Sequence, residues 1–162
     1  FIAACNVNDV VPEYLRTEIL QPKETVATIS NAMDVGDPSN FVRILELFDK
    51  EFNQVKNKLS GYTIDDGETL KTIERVEKDY GYVLDPHGAV AFVALEKYLA
   101  ENGGKGFFLE TAHPVKFPDS VEKATGKSVE IPKSLEELMK QEKFTTEIEP
   151  QYEELKGFLL GK

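Results

Sequence analysis

The side chains able to do chemistry in this chain fall into a few short stretches. His87 and His113 are its only histidines, and each lies beside a proline, in DPHG and AHPV. With one cysteine beside them, no zinc set of ordinary spacing can be assembled. A histidine next to proline is most simply a structural hydrogen-bonding group, and location supplies the functional alternative. AHPV follows the apolar run GFFLE (Gly106 to Glu110), and in open α/β sheets ligands bind beyond the carboxyl ends of strands. Thr111 would then offer its hydroxyl to such a crevice, with His113 close behind.

The second stretch is SNAMDVGDPSN, from Ser30 to Asn40. Asp37-Pro38 reads as an N-cap and first-turn proline for the helix beginning near Phe41, a pairing that needs no ligand. Ser30, Asn31, Ser39 and Asn40 are more donors than one cap requires. A helix start favours an anion such as phosphate, and Arg43, in the first turns, could add a guanidinium. A capped turn and an anion site both remain open on composition. No glycine-rich phosphate loop is present, no Ser-His-Asp order can be argued, and no lysine stands out as a buried Schiff-base amine.

The elements that must position these groups follow from periodicity. FIAACN opens as a short, fully apolar strand, Phe1 to Cys5, of the kind buried in a parallel sheet. Asp9 to Leu20 reads as a short helix with Pro12 in its first turn. Phe41, Ile44, Leu45, Phe48, Phe52, Val55 and Leu59 predict one amphipathic helix over 41–59. A helix begins at Asp65 or Asp66, with Leu70, Ile73, Val76 and Tyr80 inward. Another follows Asp85-Pro86, apolar nearly all round from Ala89 to Leu95 and ended by Gly103-Gly104. GFFLE is the second convincing strand. A helix near 114–124, an extended SVEI, an acidic helix around Leu135 and a last helix near 150–160 complete the chain. The fold class is α/β, helix-rich with few parallel strands, and resembles part of a sheet.

Bulk properties narrow the function. The 162 residues suit one domain or part of a larger protein. The net charge of −10 disfavours non-specific binding to nucleic acid. No apolar run approaches the roughly 20 residues that span a bilayer. A single cysteine allows no internal disulfide and fits a reducing cytoplasm. A lone parallel strand at the very start, with no Met before it, points to the C-terminal piece of a longer protein. The acidic run EELMKQEKFTTEIEPQYEE is most simply a solvated face.

Together FIAACNVNDVVPEYL, ATISNAMDVGDPSNFVRI, LDPHGAVAF and ETAHPVKF resemble the C-terminal half of the threonine synthase family, in its long bacterial and fungal form. The distinctive match runs over residues 1–126, with 127–162 a less distinctive helical tail. Glu18 departs from the pattern, where glycine is expected after YLRT. The resemblance implies a fold-type-II pyridoxal-phosphate lyase of threonine biosynthesis. Such an enzyme converts O-phosphohomoserine and water to threonine and phosphate, with the cofactor as electron sink. Protons leave Cα and then Cβ, phosphate leaves Cγ, and water adds at Cβ.

The family's cofactor-holding lysine and phosphate loop lie upstream in the missing N-terminal half, so this chain alone should be inactive. The resemblance assigns Thr111 to the pyridine nitrogen, where a neutral hydroxyl leaves the nitrogen largely unprotonated and moderates the sink. It sets Ser30, Asn31, Asn40 and Arg43 on the substrate side of the cleft, bordered by His113 and Lys116. Two alternatives stand beside it: a free-standing binding or regulatory module without catalysis, and a related pyridoxal-phosphate lyase with another substrate.

Overall fold

A computed structural model describes residues 1–161. β1 (Ile2–Cys5) runs parallel to β2 (Ser60–Thr63), with Ile2 opposite Ser60 and Cys5 opposite Thr63. The connection between them carries α1 (Val10–Thr17), α2 (Phe41–Leu47) and α3 (Phe52–Lys56). α4 (Asp66–Tyr80), α5 (Pro86–Asn102) and α6 (Pro118–Thr125) follow β2. β2 is not apolar enough to announce itself. It is set by its pairing and by Gly61, where a Cβ would meet Pro12 Cα at 2.8 Å and Leu15 Cδ1 at 3.1 Å. The missing side chain lets α1 lie close on the strand.

Local chemistry accounts for most helix ends. Asp65 caps α4 by accepting from Glu68 N–H, and Gly81 closes it in a left-handed turn at φ 66°. Asp85 caps α5 by accepting from His87 N–H, with Pro86 in the first turn. α1 ends at Glu18, whose φ of 67° is left-handed and whose N–H reaches Tyr14 O at 2.8 Å. The residue that departs from the family pattern thus occupies the position that favours glycine.

The helix expected over 41–59 is broken. Asp49 and Lys50 take φ of 52° and 60°, and Lys50 N–H turns back to Leu45 O at 2.8 Å. The apolar face survives the break, because packing and not helical continuity holds it. Tyr14, Leu15, Phe41 and Val55 form a cluster joined by Ile44, Leu45, Phe48, Phe52 and Leu59. The Tyr14 ring meets those of Phe41 and Phe52 edge-on, each at 5.4 Å between centroids. Asp37 is not the cap of α2 as expected; Asn40 holds the N-cap position and makes no side-chain cap bond.

α5 is the central helix. Val90, Val93 and Ala94 pack with Ile64, Ile2 and Ala4, while Ala89 packs with Ile73, Val76 and Leu84. Ile64, Ile73 and Leu84 are fully buried, each contributing about 1.5–3 kcal/mol of transfer energy. Ile73 and Val76 face inward as expected, but Tyr80 is exposed. GFFLE, expected as a strand, forms none and pairs with neither β1 nor β2 among the described residues. An apolar groove of about 710 Å³ is lined by Phe1, Ile2, Leu95, Leu99, Phe107 and Leu109.

The chain divides into two compact units, Phe1–Glu130 and a second from Ile131 onward. The second contains α7 (Lys133–Glu136), a 3-10 turn at Leu138–Lys140 and α8 (Tyr152–Leu159). SVEI forms no strand, since no ladder partner reaches it. No helix among the described residues is long and apolar enough to cross a membrane.

Candidate functional site

Two asparagines leave the carboxyl end of β1 and organise the polar run. Asn6 and Asn8 are buried, and Asn6 Oδ1 accepts from the backbone and side-chain amides of Asn8, both at 2.9 Å. Asp34 collects the remaining donors. Its carboxylate accepts from Thr28 N–H at 2.9 Å, Thr28 Oγ1–H at 2.7 Å, Asn6 Nδ2–H at 2.8 Å and Asn8 Nδ2–H at 3.2 Å. Ser30 is buried, with its hydroxyl 3.1 Å from Asn6 Nδ2. A buried polar network of this kind is stable only when each donor finds an acceptor. Asp34 meets that demand, although its position in the sequence marks it only as a turn residue.

The other short side chains of the run face outward. Asn31, Asn40 and Arg43 are exposed. Asn40 borders a smaller cavity of about 200 Å³ with Met33, Pro38, Cys5 and Asn8. Cys5, which lines this cavity, is a free thiol pushed up to about 11 by burial and by the Asp9 charge. It is therefore a poor nucleophile.

The N-terminus of α5 joins the polar run to the segment after GFFLE. His87 Nε2 accepts from Ala32 N–H at 3.1 Å, so its lone pair lies on Nε2. His87 Nδ1 therefore carries the proton and donates to Asp85 Oδ1 at 2.6 Å. The His87 ring leans against Phe117, with centroids 4.7 Å apart. Asp85 is fully buried, and Glu110 reaches it from the other side, with Asp85 N–H 3.4 Å from Glu110 Oε1. Burial first, then the hydrogen bond and charge of Asp85, push the Glu110 carboxyl up to about 8. Burial acts to raise Asp85 as well, but hydrogen bonds from Glu110 and His87 bring it below the usual carboxylate range.

Thr111 follows Glu110 directly and is exposed, its hydroxyl available as a neutral donor or acceptor. His113 is exposed and caps the 3-10 turn Pro114–Lys116, its Nδ1 accepting from Val115 N–H at 3.1 Å. Lys116 is exposed at the end of that turn. Of the residues singled out by sequence, Ser30 enters a buried network, and the others present themselves at the surface of the unit. The polar run is tied to α5 by His87, which sequence reasoning left as a structural group. Asp85 was foreseen only as a cap and Glu110 only as a strand end. The one sequence sign of their pairing is Gly88 in DPHG.

A parallel strand pair under a central helix, with polar loops at the strand ends, defines part of an α/β sheet. Comparison with known proteins narrows this class. The family model described as "Threonine synthase, C-terminal" matches residues 88–159. Threonine synthase from Serratia marcescens is 42% identical over 161 residues, covering 99% of this chain and 37% of that protein. The Escherichia coli enzyme is 47% identical over 137 residues, covering 85% of this chain and 31% of the relative. Its crystal structure superimposes with a TM-score of 0.85 at 40% identity, over 99% of this chain and 37% of the other. A PLP-bound threonine synthase from Brucella melitensis gives a TM-score of 0.72 at 28% identity, over 87% of this chain and 35% of that one. Over nearly its whole length the chain is similar to the C-terminal part of threonine synthases. It spans 31–37% of the length of these relatives.

Proposed function

We propose that this chain is the C-terminal part of a pyridoxal-phosphate-dependent threonine synthase that converts O-phosphohomoserine and water to threonine and phosphate. The observation that carries the reading is similarity over nearly the whole chain to the Serratia marcescens enzyme. The Brucella melitensis relative is PLP-bound, which points to the cofactor. The residues fit such a group: Thr111 is an exposed neutral hydroxyl, suited to an aromatic ring nitrogen that carries no proton. When bound, pyridoxal phosphate supplies the electron sink that makes the substrate's carbon acids removable.

The chain's own residues would orient and shield. Thr111 meets the ring nitrogen. Asn31, Asn40 and Arg43 form a polar wall toward the phosphorylated substrate, with His113 and Lys116 at its border and the buried Ser30 supporting it from behind. The Schiff-base lysine is supplied by the preceding part of the enzyme, so the chain alone is inactive. Residues 1–126 carry the distinctive part of the catalytic region, 127–162 a helical tail, and the enzyme works in a reducing cytoplasm. The test is phosphate release from O-phosphohomoserine by the full-length protein. Release upholds the substrate. Robust cofactor absorbance without release overturns the substrate and leaves a related lyase. No cofactor absorbance at all favours a non-catalytic module.

A further inference from the structure

The pair Asp85 and Glu110 is unusual in its accounting of donors. Both carboxyls are drawn from water, and Asp85 Oδ2 and Glu110 Oε2 are buried with no donor reaching either. Ionised carboxylates cannot bond to one another. A single proton on Glu110 turns one of the two groups into a donor, and a hydrogen bond between them then satisfies what charge alone leaves open. The rest of the chain of contacts is complete. Asp85 Oδ1 accepts from His87 N–H at 2.8 Å and from Nδ1–H at 2.6 Å, and His87 Nε2 accepts from Ala32 N–H at 3.1 Å. Gly88 makes room for it, since a Cβ there would overlap both oxygens of Glu110.

We propose that Glu110, Asp85 and His87 are positioning residues, a bridge closed by one shared proton that fixes the Glu110–His113 segment to the Ser30–Met33 turn. The bridge joins segments far apart in sequence: Ala32 and His87 are separated by 55 residues, Asp85 and Glu110 by 25. Its consequence for catalysis rests on the reading above, in which these two segments face cofactor and substrate. The bridge itself does not.

The titratable groups that face Glu110 are Asp85, with His87 hydrogen-bonded on its far oxygen, and Tyr82, whose phenol is raised by burial and by both carboxyls. Glu110 keeps its proton up to about pH 8 when folded, against an ordinary value of 4.5. The folded state therefore holds more protons than the unfolded chain between these values. This group's contribution to stability falls as pH rises through that window.

The test uses the full-length protein. Infrared difference spectra with isotope-labelled glutamate should show a protonated-carboxyl band at neutral pH that fades above about pH 8 and is absent from Glu110→Gln. Amide exchange at Ala32 supplies the second readout. It should quicken about ten-fold in His87→Ala and also in Glu110→Ala, as one hydrogen bond's protection is lost. Glu110→Gln, neutral and still a donor, should restore protection and remove its pH dependence. Absence of the protonated band at neutral pH overturns the shared proton. Unchanged Ala32 exchange in Glu110→Ala, beside faster exchange in His87→Ala, overturns the bridge and leaves a local cap. Both readouts stand whether or not the protein binds pyridoxal phosphate, so failure of the functional reading is seen separately, in the cofactor absorbance.

Discussion

Glu110 can approach the start of α5 only because residue 88 has no side chain: a Cβ on Gly88 would overlap both oxygens of the Glu110 carboxyl. Gly88 lies in a helical stretch that is buried from Pro86 to Val90, where glycine has an entropic cost relative to alanine. The close approach to Glu110 explains why glycine stands there. Gly88→Ala should push the Glu110 carboxyl aside and cost about 1–3 kcal/mol in spite of its better helix propensity. Urea unfolding measures the change. Stabilisation by the substitution would show that Glu110 does not occupy this space.

Glu18 is the converse case. It holds a left-handed conformation at the C-terminus of α1 that glycine adopts without strain. Glu18→Gly should stabilise the protein by about 0.5–1 kcal/mol, read as a higher denaturation midpoint at unchanged slope. An unchanged or lower midpoint would show that the Glu18 side chain offsets the strain.

Asp34 holds four hydrogen bonds from Asn6, Asn8 and Thr28. Asp34→Ala strands those donors and should cost about 1–3 kcal/mol or more. Asp34→Asn keeps the shape but brings an amide donor among donors, so it should recover little. Full recovery by Asn would mean that the network can reorganise around a neutral group.

Thr111→Val replaces an exposed hydroxyl by a methyl of similar volume. In the full-length protein it should leave the thermal midpoint within about 2 °C and lower turnover about five- to ten-fold, the worth of one hydrogen bond. Unchanged turnover would remove Thr111 from the cofactor.

The legible parts of the sequence were those governed by local chemistry. Asp85 as a cap, a helix start at Asp65 or Asp66, Gly103 as the end of α5 and the apolar face from Phe41 to Leu59 all follow from rules acting within one or two turns. The break at Asp49 and Lys50 was not legible in the unbroken apolar spacing; Phe41 and Phe52, on either side of it, both pack on Tyr14, which lies far away in sequence. β2 was missed because SGYT has no alternation and owes its state to β1. GFFLE was read as a strand from its composition, yet a strand exists only with a partner. The candidate site divides the same way: Thr111 and Ser30 were singled out by motif, while Glu110 and Asp34 matter through neighbours distant in sequence.

The open side of β1 has one more consequence. Only one edge of this strand carries a ladder among the described residues, and its Ile2 and Ala4 line the apolar groove. Unpaired N–H and C=O groups beside exposed apolar surface form a template for another chain. Two copies handled in isolation can pair edge to edge, and what opposes this is mutual repulsion between molecules of net charge −10. That repulsion is long-ranged and screened by salt. Colloidal behaviour of the isolated chain is thus set by ionic strength, with dilute buffer keeping copies apart and concentrated salt bringing the bare edges together.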